Sequence, residues 1–402
     1  MKRNLYLLTT AFVLLILSSS YATAQSALFR SSSGSICSQA SDAGIQPIRK
    51  TIVYVDKSML SLDQNEQGWI NTLYQVFQQT MSSAEPFDIV IIDGNDGSAK
   101  MFGPTLCYPY INEKYHDRFK SSILRNNLID QIPSLQRDIL RDIQDSVTEG
   151  YTNAPNHFSA KPVANYPEKH FFRALQADSA RFLEDIPVRV IIYSDFIENS
   201  DLLSLTDLLL NEGSTDYVAL AGDVLTTLPR LDFQGSMVFG YGVGVSLDNP
   251  SSSDLISQFI RQLIYRANGH PVDINRELGT RAIRPSNLYT FDSLITVNNR
   301  DIRGTMSLLT DDNGRVVDSF MDLGVDGRSA HFDRGRMVCS ASNACQLEGL
   351  LAAALLFEDP ENVYLEGNLN SMSGYIGFRN DILADSENAA LIPVKLTLRN
   401  NH

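Results

Sequence analysis

VIIYSDFIENSDLLSL, residues 190–205, opens on a run of branched and aromatic apolar side chains that stops at Ser194 and Asp195. With Val188 and Arg189 it forms VRVIIYSD, almost continuously apolar, the pattern of a strand buried on both faces. The same pattern occurs upstream in TIVYVD (51–56) and FDIVIIDG (87–94) and downstream in MVFGYGVGV (237–245). Helical spacing separates these runs. Trp69, Ile70, Leu73, Tyr74, Val76 and Phe77 share one stripe; Ile256, Phe259, Ile260 and Leu263 share another. Strands interleaved with amphipathic helices predict an α/β, doubly wound, mostly parallel sheet over residues 50–267, with helices on both faces. A helical insertion is expected at about 95–187, with helices near 117–130 and 134–148 and a loop at 151–167.

The character changes after this. Residues 268–287, with Gly269, Pro271, Gly279 and Pro285, are expected to be a linker. Residues 288–402 hold short strand-like runs separated by turn signals such as Asp312-Asn313-Gly314 and Asp326-Gly327, which predict a mainly β domain, sandwich or barrel. CQLEGLLAAALLF (345–357) fits a strand pair or a helix equally well. Asp311 to Gly314 mimics part of a calcium loop, but without the distant Glu a hairpin turn is expected.

At the N-terminus Lys2 and Arg3 precede a mostly apolar stretch, Leu5 to Leu17, and Ala22-Thr23-Ala24 supplies a small-x-small cleavage site. Residues 1–24 therefore read as a secretory signal peptide and 25–49 as a Ser/Ala/Gly-rich lead-in, with no integral span after cleavage. The expected location is periplasmic or extracellular. The four cysteines then suggest disulfides. Three pairings exist; Cys339 and Cys345 are close enough to staple a hairpin, which leaves Cys37 with Cys107.

The chain has 402 residues, 43% hydrophobic and 20% charged, enough for a sizeable core. Its net charge of −14 disfavours nucleic acid and anionic lipid as partners. GxSxG, HExxH and phosphate-loop motifs are absent, and the six histidines are scattered. No aromatic platform for a sugar stands out.

In an open parallel sheet, ligands sit at the carboxyl ends of the strands. There TIVYVD continues as Asp56-Lys57-Ser58, and the later strand ends in Ser194-Asp195. Asp56 and Asp195 also suit helix capping. Over residues 50–267 the chain resembles a von Willebrand factor A domain of the bacterial exported type. The resemblance rests on Asp-x-Ser after one strand, Ser-Asp after a later one and a final strand before a helix. It implies a protein-interaction module, often bridged to its partner through Mg²⁺ or Mn²⁺ held by Asp-x-Ser-x-Ser, a Thr and an Asp. Asp56, Ser58 and Asp195 match metal positions. Position 60 is Leu60, with Ser61 one place beyond, and where the Thr belongs the chain reads Pro167-Glu168-Lys169-His170. The adhesion site is therefore degenerate, and the Lys169 ammonium offers a replacement for the metal by pairing with Asp56 and Asp195.

The function expected is a non-enzymatic protein-protein interaction or scaffold module, in an envelope or surface assembly, with Asp56, Ser58, Ser61, Lys169, Ser194 and Asp195 at its binding face. The alternatives are a hydrolase using a carboxylate pair, or carbohydrate or lipid binding by the β domain. A carboxylate cleft would favour the first. An exposed aromatic patch or an internal barrel cavity would favour the second.

Overall fold

A computed structural model describes residues 34–62, 68–94, 97–101, 103, 105–119, 123–152, 168–203, 216–247, 250–277, 283–297, 299–322, 329–352, 361–377 and 391–401. The expected signal peptide lies outside them.

The first part of the chain builds one sheet from β1 (Lys50–Asp56), β2 (Pro86–Asp93), β3 (Ser98–Met101), β4 (Leu106–Cys107), β5 (Val188–Tyr193), β6 (Met237–Tyr241) and β7 (His270–Asn275). The order is β3-β2-β1-β5-β6-β7, with β4 also on β2. β3 and β4 run antiparallel to β2; every other pairing is parallel. Eight helices accompany these strands among the described residues. They are α1 (Gly34–Asp42), α2 (Lys57–Leu62), α3 (Gly68–Thr80), α4 (His116–Phe119), α5 (Ile123–Thr152), α6 (Phe171–Asp178), α7 (Tyr217–Thr227) and α8 (Pro250–Arg266).

The period-2 alternation of β1 explains the layers. Val53 and Val55 turn to one face, packing with Trp69, Leu73 and Phe77 of α3 and Ile139 and Ile143 of α5. Ile52 and Tyr54 turn to the other, packing with Phe172 and Leu175 of α6, Val224 of α7 and Phe259 and Leu263 of α8. Both faces are covered, so the strands read as apolar throughout. The Cys37–Cys107 disulfide ties α1 to β4.

Three expectations change. The stretch expected as a linker contains β7, an edge strand of the sheet. Pro271 disguises it, and Pro is tolerated near the start of an edge strand. The expected helices at 117–130 and 134–148 meet in one long helix, α5, which runs from Ile123 through Pro133, with residues 117–119 in the separate α4. Its apolar stripe of Ile129, Ile132, Leu135, Ile139 and Ile143 continues across the proline, and that packing outweighs the lost hydrogen bond. Residues 95–187 also hold β3 and β4, so this stretch completes the sheet as well as adding helix.

The second part is a closed barrel: β8 (Asn287–Val297), β9 (Arg300–Thr310), β10 (Val316–Asp322), β11 (Ser329–Cys339), β12 (Ala344–Ala352), β13 (Glu361–Asn368), β14 (Ser371–Gly377) and β15 (Ile392–Asn401). Each strand pairs antiparallel with the next, and β15 returns to β8. Phe291, Met306, Leu308, Phe332, Leu347, Leu365, Met372 and Leu396 fill the interior. The ambiguous segment from Cys345 is strand as far as Ala352; the rest of it lies outside the described residues. Asp311 to Gly314 forms the hairpin turn, with Asp311 Oδ1 accepting from the Asn313 and Arg315 amides at 2.9 and 2.8 Å. The Cys339–Cys345 disulfide closes the β11–β12 hairpin.

The barrel covers the amino-terminal edge of the sheet. Ile48, just before β1, clusters with Leu288 and Leu309. His270 at the start of β7 stacks on His331 of β11, ring centroids 4.6 Å apart. Phe320 of β10 lies on Gly235, where a Cβ would meet its ring at 1.9 Å. The carboxyl ends of the strands stand at the opposite edge. Among the described residues, no helix is long and apolar enough to cross a membrane.

Candidate functional site

The chain leaves β1 toward β2 on one side and leaves β5 toward β6 on the other. The boundary between β1 and β5 is therefore the switch point of the sheet, where its carboxyl edge opens a crevice. Asp56 is the last residue of β1, and Ser194 and Asp195 follow β5 directly. Parallel pairing of the two strands brings both acids to that crevice.

Lys169 arrives from outside the sheet. It forms a two-bond backbone bridge with Asn199 (2.8 and 3.0 Å), and the next amide, His170, donates to the Gly94 carbonyl at 2.8 Å. Its stem crosses Gly94, where a Cβ would stand 2.7 Å from Lys169 Cγ, so the glycine after β2 makes room for it. The ammonium then sits 2.6 Å from Asp56 Oδ2 and 2.5 Å from Asp195 Oδ1. It also donates to Ser58 Oγ at 3.3 Å.

The remaining valences are filled. Asp56 Oδ1 accepts from the Ser58 amide at 3.0 Å and hydroxyl at 2.7 Å, which also makes it a cap for α2. Ser194 Oγ donates to Asp56 Oδ2 at 2.7 Å and accepts from the Phe196 amide at 3.0 Å. Asp195 accepts from the Ile197 amide at 3.1 Å and from Ser246 Oγ at 2.8 Å. Phe196 takes a left-handed backbone, φ 57°, an uncommon conformation for a bulky residue. Its ring meets Phe171 edge-on at 5.4 Å.

Asp56 and Asp195 are almost wholly buried, and the Lys169 side chain is 12% exposed. Burial pushes the Asp56 carboxyl up, but Lys169 and the hydrogen bonds of Ser194 and Ser58 outweigh it and hold the group ionised. Burial likewise works against the Lys169 charge; Asp195 and Asp56 overcome it and raise the ammonium above its ordinary range. The result is a buried Lys169–Asp56 ion pair that Asp195 joins through the same ammonium.

This arrangement does not fit a divalent ion. The ammonium stands between the carboxylates that would have to be ligands, and a metal would have to expel it. Ser58 and Ser194 both donate to Asp56, while His170 faces Glu168 at 3.0 Å and Arg173 at 3.5 Å.

Asp56, Ser58, Lys169, Ser194 and Asp195 thus come together. Ser61 lies in α2, and its side chain falls outside the described residues. Two contributors escape the sequence reading. Ser246 follows β6 in a glycine-rich turn with no distinguishing spacing. Glu198 is fully buried and accepts from the Phe172 amide at 3.0 Å, capping α6 next to Lys169. Burial raises its pKa, with the Ser200 and Phe172 bonds opposing. The helix that Asp195 would cap, at 199–211, does not begin there: the chain is irregular through residue 203, and 204–211 lie outside the described residues.

No family model and no curated protein matches the chain. Among solved structures, the apo crystal structure of haemoglobin receptor HpuA from Kingella denitrificans aligns at 12% identity with a TM-score of 0.20, over 30% of this chain. The chain spans 44% of that structure's length.

Proposed function

We propose that this chain is an exported binding or scaffold protein that takes a partner protein on the strand-end face of a von Willebrand factor A-like domain, without catalysis. The observation that carries the reading is the Lys169 clasp. It holds Asp56 and Asp195 in fixed ion pairs at the position where such a sheet receives its ligand. A buried, hydrogen-bonded triad stiffens the face. The cation that holds the two acids together is supplied by the chain itself, so the reading needs no metal bridge.

Two further observations support it. Val245, beyond β6, and Val218, in the first turn of α7, are 38% and 41% exposed at this edge, a rim of apolar contact. The opposite edge is occupied by the barrel. Export is supported by the basic-then-apolar N-terminus and by the two disulfides.

The test is site-specific photocrosslinking in the native host. A crosslinker at Val245 or Val218 is expected to trap one and the same partner, and one at Leu183, on the opposite edge, is expected not to trap it. The same partner trapped equally from all three positions, or none from Val245 and Val218, sinks the reading.

A further inference from the structure

The outer face of the barrel holds a second, unrelated arrangement. Register places Gln346, Glu366, Ser373 and Lys395 side by side across β12, β13, β14 and β15. The neighbouring rank on the same face is Glu348, Tyr364, Tyr375 and Pro393. A rank of hydrogen-bonding side chains thus runs beside an aromatic one. It spans three strand spacings, about 14 Å. Both ranks are on the outward pleat, since Leu347, Leu365 and Val394 between them face the interior.

Apart from Glu348, these ranks line an open groove of about 1180 Å³. Tyr375 is 40% exposed and Val338, at the groove's end, 47%. Tyr364 is held by its hydroxyl, which donates to Glu366 Oε2 at 3.3 Å. The Cys339–Cys345 disulfide fixes the hairpin at the rim. The platform sits on strands of a closed barrel, so little ordering is required to use it.

We infer that this groove binds a neutral oligosaccharide. A pyranose has apolar C–H faces and a polar edge of hydroxyls. Tyr364, Tyr375 and Pro393 offer flat apolar surface to the first. Gln346, Glu366, Ser373 and Lys395 offer donors and acceptors to the second. The charge balance selects the class. Glu366 and Lys395, the two charged residues of the groove lining, offset one another, so the groove favours neither a polyanion nor a polycation. The chain's net charge of −14 further repels acidic glycans. The length of the ranks suits a short chain of sugars over a single ring. The site lies on the other domain from the strand-end face, so either assignment stands or falls alone.

The test is calorimetric titration of the oxidised mature chain with maltohexaose, cellohexaose and N-acetylchitohexaose. Heparin and an aromatic peptide are run beside them. Saturable binding of at least one neutral hexasaccharide is expected. It should weaken about tenfold or more in Tyr375→Ala and in Tyr364→Ala, a change of about 1.4 kcal/mol, and should persist in Leu183→Ala. Both tyrosines are partly exposed, so unchanged unfolding midpoints are expected. Saturation-transfer NMR on the wild-type chain gives a readout independent of the variants and should place the sugar protons against tyrosine rings. Absence of saturable binding with all three sugars overturns the inference. So does binding indifferent to both tyrosines, or binding of heparin or the peptide alone.

Discussion

Lys169 Nζ and Asp56 Oδ2 stand 2.6 Å apart at the switch point of the sheet, a lysine set between two strand-end carboxylates. The pair shares its ammonium with Asp195, so three charges leave water together. Such groups depend on one another more than on the solvent.

Lys169→Ala therefore leaves two buried carboxylates facing each other without a cation. A loss of about 3–5 kcal/mol is expected, measured by urea unfolding. The variant should also gain what the wild type lacks. Asp56, Asp195 and Ser58 then form an oxygen set for a hard cation, so millimolar Mg²⁺ or Mn²⁺ should raise the unfolding midpoint of the variant and leave the wild type unmoved. Equal response of both proteins would show that the ammonium does not exclude the ion.

Much of this site is legible in the sequence, and for a clear reason. Strands buried on both faces read as apolar runs, so the acid that closes the run marks the strand's end, here Asp56 and Asp195. Lys169 is legible only through the family resemblance, which expects an oxygen ligand at its place in the chain. Ser246 is not, since its approach to Asp195 depends on how the turn after β6 folds back. Closure of the barrel is not legible either. Alternation along β8 and β15 is the same in a sandwich, and only their mutual pairing closes the ring. Tyr364 and Tyr375 become a pair only once the register of β13 and β14 is known.

The domain junction should make stability depend on pH in two opposed ways. Burial raises the Asp318 carboxyl from 3.8 to about 7, against the pull of Arg49 and Arg189. A raised carboxyl contributes stability that is full below 3.8 and is lost as pH rises through about 7. His331 behaves oppositely. Burial lowers it to about 4, with the Ser319 carbonyl, which accepts from Nδ1 at 2.7 Å, opposing. Its contribution is present above 6.5 and is lost as pH falls through about 4. Asp318→Asn should flatten the decline toward neutral pH, and His331→Gln the decline toward acid. Urea titrations from acid to neutral pH read both slopes, and parallel curves for wild type and variants would refute the assignment.

Gly235 and Phe320 make a contact that no other residue allows. Gly235 has φ +76°, and a Cβ there would lie 1.9 Å from the Phe320 ring. Gly235→Ala must push the barrel from the sheet edge or twist the turn, at about 1–3 kcal/mol. Because Phe320 belongs to the barrel, the strain falls on the junction. A larger radius of gyration by solution scattering is expected, with far-ultraviolet dichroism unchanged. Phe320→Ala in the same background should restore the wild-type dimensions, because it removes the atoms the new methyl strikes.

The two disulfides should contribute unequally, because they close loops of different length. Cys37 and Cys107 are 70 positions apart in sequence, Cys339 and Cys345 only 6. In the chain-entropy model the longer loop is worth about 4 kcal/mol and the shorter about 2. The difference is reinforced by location. Cys107 is buried in a cluster with Ile36, Ala40, Ile45 and Phe119, so its bridge anchors α1 to the sheet; the other closes an exposed hairpin whose strands are already paired in the barrel. Cys37→Ser with Cys107→Ser should therefore lower the urea midpoint more than Cys339→Ser with Cys345→Ser. The second double variant should instead loosen the rim of the barrel groove and weaken any sugar bound there without unfolding the chain. An equal loss of stability from both would mean that unfolded-state entropy does not govern their contribution.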